Sequence, residues 1–142
     1  MLPLPSEKIK EIADMLNSGF RCMVHKQTGE LLFIPDECKQ PDIDFDAFKE
    51  QTEKFESSPS DYTVIEPMES RESFKIMEDF AEELDDNNPL KRKLFDALSK
   101  KMPFANFKWV IDNSGDYRNM WFRFKNERMI QWVKEQLECN EI

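Results

Sequence analysis

Residues 20–34 read FRCMVHKQTGELLFI, and the fold follows from that stretch. Phe20, Cys22 and Val24 alternate with Arg21, Met23 and His25, which is the two-residue period of a strand. Thr28 and Gly29 supply turn chemistry, and a second apolar run from Leu31 to Ile34 stops at Pro35. A β-hairpin is expected.

The flanks extend that hairpin into a small sheet covered by helices. Residues 62–66 are rich in β-formers and closed by Pro67, so they form a third strand beside the hairpin, its direction left open by the sequence. Ahead of the hairpin, Ile9, Ile12, Ala13 and Leu16 share one helical face within residues 6–16, with Ser6 as the N-cap and Gly19 beyond the end. Between the hairpin and the third strand, Phe45, Phe48 and Phe55 recur at helical spacing behind an Asp44 cap, and Ser57-Ser58-Pro59 stops them. From residue 70 the pattern is helical throughout: 70–85, then 89–100 with Asn88 as cap and Pro89 in the first turn, then 103–112, then 117–139. The expected fold is α+β: a three-stranded sheet packed by helices, with a helical carboxy-terminal half.

The 142 residues fit a single domain, 1–142. Charge divides it unevenly. Residues 1–86 hold 9 Lys/Arg against 22 Asp/Glu, whereas residues 87–142 hold 11 against 7. An acidic α+β subdomain over 1–86 and a basic helical one over 87–142 are therefore conceivable, with the boundary in the Asp-Asp-Asn-Asn-Pro run at 85–89. The asymmetry serves either internal docking or an outside partner.

Several function classes lose their usual signature. No apolar run is long enough for a membrane span, and the opening MLPLPSEKIKEIADML lacks the layout of a secretion signal. Cys22, Cys38 and Cys139 are odd in number and show no C-x-x-C spacing, so a reducing cytoplasm fits best and no zinc or disulfide framework is indicated. Gly19, Gly29 and Gly115 fall at turns, which leaves no Gly-rich phosphate loop, and no cofactor is implied.

Two carboxylate clusters carry the metal-binding or enzymatic alternative. Acids at 42, 44, 46, 50 and 53 approach the ligand spacing of a calcium loop, but Ala47 stands where its sharp turn needs glycine, and a capped helix explains the segment better. Glu78, Asp79, Glu82 and Glu83 form i, i+4 pairs like those of carboxylate-bridged metal centres, yet Phe74, Met77, Phe80, Ala81 and Leu84 place the apolar arc opposite them, on a solvated face. His25 is the only histidine and reads as a half-exposed strand residue, while Cys22 and Cys38 lack any local nucleophile signature.

The last helix has more apolar circumference than one neighbour can cover. With Met120 at 0°, Phe122, Met129, Ile130, Val133 and Leu137 span roughly 180° to 280°, a core face. Trp121, Phe124 and Trp132, with Arg128 among them, form a second stripe between roughly 40° and 120°. Such a helix is either central, covered on both sides, or it shows an aromatic-arginine strip to a partner, a composition favoured at interface hot spots. Nucleic acid would also have to bind here, with Lys91, Arg92, Lys93, Lys100, Lys101 and Lys108 nearby, but an acidic chain without a recognised motif is a poor binder of it.

Four segments, TGELLFIPDE, YTVIEPMESRESFKIMEDF, PFANFKWVID and WFRFKNERMIQWVKEQLE, together resemble the bacterial uncharacterised protein family 0158 from about residue 20 onward. The resemblance implies a bacterial cytoplasmic protein and no assigned reaction, cofactor or catalytic residue. Of the motif positions, Glu78, Asp79, Lys108 and Arg128 are suited to bridging acidic and basic helices. The expectation is a non-enzymatic interaction or regulatory module whose unknown protein partner meets Trp121, Phe124, Arg128 and Trp132.

Overall fold

The computed structural model describes residues 4–36 and 44–139. Two compact units divide the chain: residues 1–68 with 129–142, and residues 69–128. The charge step at residue 86/87 thus lies inside the second unit.

In the first unit, β1 (Phe20–His25) is the central strand, flanked by β2 (Leu31–Pro35) and β3 (Tyr62–Ile65), both antiparallel to it. Cys22 faces Phe33 on one side and Ile65 on the other, and Met23 faces Leu32 and Val64. Simple alternation predicts one wet face, but Met23 is as fully buried as Cys22 and Val24. The reason is a second cover. Helix α1 (Ser6–Asn17) packs on β1, while Phe55 of α2 (Lys49–Ser57) packs on the cluster of Met23, Leu32, Ile34 and Tyr62. The edge strand β2 is also closed by α2, because the Phe33 amide donates to Gln51 Oε1 at 2.8 Å.

Local signals set most of the boundaries. Asp44 caps a short 3₁₀ turn, Phe45–Phe48, by accepting from the Asp46 amide, and that turn leads into α2. Ser6 is not the cap of α1: it is the first helical residue, and no side chain caps that end. Extended Pro5 precedes it, and its carbonyl accepts from the amides of Lys8 and Ile9. In the hairpin loop Gly29 takes a positive φ of 74°, with Leu4 so close that a β-carbon would lie 3.1 Å from it.

The second unit is helical: α3 (Ser70–Glu83), α4 (Pro89–Ser99), α5 (Pro103–Asp112) and the first part of α6 (Tyr117–Cys139). Asn88 caps α4 through a 3.0 Å bond from the Leu90 amide, with Pro89 at the first position, as the sequence predicts. α3 buries Ile76 in addition to the anticipated Met77, Phe80 and Ala81, and α5 buries Phe107 and Ile111. Met102, between α4 and α5, is the one non-glycine residue with positive φ among the described residues.

Candidate interaction surface

The sequence-predicted strip divides between packing and solvent. Trp121 is only 8% exposed: its ring lies 5.4 Å from Phe80 and 4.8 Å from Phe107, both edge-on, and stacks on Phe124 at 6.5 Å. Phe124 in turn sits 5.5 Å from Phe80. Trp121 and Phe124 are thus packed within the second unit. Arg128 lies over the Phe124 ring at 5.6 Å and donates through Nη1 to Asp79 Oδ2 at 2.7 Å, with 38% of its side chain exposed. Trp132 is half-buried and belongs to the first unit.

The opposite stripe also departs from expectation at one position. Met129, Val133 and Leu137 are buried and Ile130 is partly so, but Phe122 is exposed. Its ring is covered instead by the Arg118 guanidinium at 4.8 Å, a cation–π contact that needs no core.

Bridging by the motif charges is realised once between helices. Asp79 joins α3 to α6 through Arg128 and also accepts from Lys75 one turn away. Burial pushes the Asp79 carboxyl up, and the hydrogen bonds from Lys75 and Arg128 outweigh it, so the group ends below the ordinary aspartate range. Lys108 pairs within its own helix, with Asp112 at 3.3 Å.

The described members of the two carboxylate clusters are not assembled for a cation. Among the described residues no group of three or more His, Cys, Asp or Glu side chains is placed to hold a metal ion. In the 78–83 segment Asp79 is committed to Lys75 and Arg128, and Glu82 and Glu83 are exposed. Asp42, like Cys38, lies outside the described residues, and Asp44 acts as a cap. Burial drives the Cys22 thiol up to about 12, so its sulfur stays protonated and is a poor nucleophile at neutral pH. His25 serves the hairpin loop, where its Nδ1 accepts from the amides of Gln27 and Thr28.

A surface that sequence reading passed over lies on α4 and α5. Trp109 is 69% exposed, the most exposed aromatic ring among the described residues, and Met102 and Phe104 are exposed nearby in sequence. A helical wheel holds the signal: Trp109 falls about 160° to 200° from Ile111 and Phe107, so a helix buried through those two must turn the indole outward. The ring borders a groove of about 710 Å³ lined by Lys93 and Lys100 from α4, Asn106 and Asn113 from α5, and Tyr117. Its polar side chains are held in place. Asn113 Nδ2 donates to the Trp109 carbonyl at 2.7 Å, Asn106 Nδ2 to the Lys101 carbonyl at 2.8 Å, and Asn88 Nδ2 to Tyr117 Oη at 2.9 Å. Over residues 87–112 the chain carries 6 Lys/Arg against 2 Asp/Glu, and of these Lys93, Lys100 and Asp96 line the groove.

No helix among the described residues is long and apolar enough to cross a membrane. No solved structure matches the chain. A UPF0158 protein of Pseudomonas aeruginosa is 27% identical over 135 residues, covering 94% of this chain and 82% of the relative. The model of Uncharacterised protein family (UPF0158) matches residues 7–142, and the chain belongs to that family.

Proposed function

We propose that the protein is a non-enzymatic protein-interaction module of the bacterial cytoplasm, and that it docks an acidic protein segment bearing an apolar anchor on the α4–α5 face. The observation that carries the proposal is Trp109: a large ring left 69% exposed beside a groove, on a helix whose opposite side is already committed to the core. Tryptophan is enriched at interface hot spots. Lys93 and Lys100 favour carboxylates, while Leu90, Ala97 and Val110 in the groove wall favour an apolar side chain over a second charge. Phe124 and Arg128 of the strip adjoin this role as supports, since they fasten α6 to α3 within the same unit.

A synthetic acidic peptide with one central phenylalanine tests the proposal. Titration should change the emission of the wild-type protein saturably, with no change in a Trp109→Phe variant, and binding should weaken as salt rises. A saturable response to single-stranded polyuridylate with none to the peptide would move the face to nucleic acid and overturn the proposal. So would equal binding of acidic and basic peptides.

A further inference from the structure

We infer that the acidic, apolar-anchored segment is supplied by a second copy of this chain, whose Asp44-Phe45-Asp46 turn seats in the α4–α5 groove. The inference rests on the docking role of that face argued above and names its partner. Phe45 is the one large hydrophobic residue of the first unit that stands exposed among the described residues, and exposed Asp44 and Asp46 flank it. The turn is preorganised. Asp44 accepts from the Asp46 amide at 3.0 Å and its carbonyl accepts from the Ala47 amide, so little conformational freedom remains to be lost on docking.

The chemistry of the two surfaces is complementary. The first unit holds 17 Asp/Glu against 8 Lys/Arg, whereas the second holds 12 of each, with 6 of its cations against 2 of its acids on 87–112. Phe45 and Asp46 line a surface depression of the first unit together with Glu53, Glu56 and Glu66, of which Glu53 is paired with Lys49 and Glu66 with Arg21. In the receiving groove Lys100 is shared with Asp96, while Lys93 makes no ion pair among the described residues. A phenylalanine against Trp109 with its flanking aspartates near Lys93 and Lys100 satisfies both surfaces at once. Because each chain owns one Phe45 turn and one groove, copies of the chain can associate through this pair of surfaces.

Sedimentation of the full chain across a concentration series tests the inference, with wild type compared to Phe45→Ala and Trp109→Ala. Wild type should associate reversibly, more weakly at high salt, and each substitution should weaken association by roughly tenfold or more. An equimolar mixture of the two variants should associate better than either alone, since each heterodimer regains one intact pairing of Phe45 turn and groove. A charge exchange supplies a second check: Lys93→Glu should weaken association, and adding Asp46→Lys to it should restore part of the loss. Both altered rings are exposed, and circular dichroism of each variant should match wild type. Association that neither ring substitution weakens, or a mixture no better than its components, overturns the inference. A wild-type chain that stays monomeric at every concentration yet still binds the acidic peptide overturns only the second copy, and failure of peptide binding removes the docking face itself.

Discussion

Arg128 Nη1 and Asp79 Oδ2 lie 2.7 Å apart, so a single charge-assisted bond joins helices whose contributing residues are 49 positions apart. Asp79 also receives Lys75, and the two cations hold its carboxyl below the ordinary range against the opposing pull of burial. An aspartate lowered in the folded state contributes stability that is present above its unfolded value of about 3.9 and is lost as pH falls through the folded value. Arg128→Gln should therefore lower stability by about 1 kcal/mol at neutral pH, with less effect once acid protonates the carboxyl in the folded state. Urea unfolding of wild type, Asp79→Asn, Arg128→Gln and the double variant measures it. Additive losses at neutral pH would show that the pair contributes nothing as a pair.

His25 holds the hairpin loop rather than a ligand. Its Nδ1 accepts from the Gln27 and Thr28 amides at 3.1 and 3.2 Å, and its ring meets Tyr62 edge-on at 5.1 Å. His25→Ala removes both the acceptor and the ring contact and should cost about 1–2 kcal/mol. His25→Asn, which can keep an acceptor in place, should lose less. Hydrogen exchange at the Gln27 and Thr28 amides should quicken in the alanine variant before the strand amides do.

Punctuation is local, and it located the helices well: Asn88-Pro89 opens α4, Pro103 opens α5, and Gly115 precedes α6. The hairpin was legible for the same reason. Cover is not local, so the alternation of β1 did not show that Met23 would be buried by α2 through Phe55. Phe122 was placed on a core face by its angle alone, because a wheel cannot see the Arg118 guanidinium that covers it. Trp109 is legible in the sequence, since the wheel that buries Phe107 and Ile111 also turns it outward.

Thr63 breaks the rule that buried polar groups find partners. The residue is 4% exposed, and its hydroxyl has no hydrogen-bond partner among the described residues. Replacing it with valine keeps the branched shape that suits β3 and removes the unsatisfied oxygen, so Thr63→Val should stabilise by about 1 kcal/mol. Thr63→Ser keeps the hydroxyl while deleting a buried methyl, and should destabilise by about 1 kcal/mol. Thermal unfolding of the two variants should bracket wild type. A valine variant less stable than wild type would mean that the hydroxyl is bonded in solution.

Met102 carries the backbone strain of the link between α4 and α5. Its φ of 57° and ψ of 55° are left-handed, the next residue is Pro103, and its side chain is 73% exposed, so nothing in its own packing offsets the unfavourable geometry. A left-handed residue with a β-carbon costs roughly 1–2 kcal/mol, and glycine escapes that at an entropic penalty of roughly 0.5–1 kcal/mol. Met102→Gly should therefore raise stability by about 0.5 kcal/mol, whereas Met102→Val, whose branched side chain suits this conformation least, should lower it by about 1–2 kcal/mol. Met102→Ala separates backbone from side chain: it keeps the β-carbon and removes only exposed atoms, so its unfolding midpoint should stay near wild type. If alanine gains as much as glycine, the exposed thioether is the source of the effect and the backbone is unstrained.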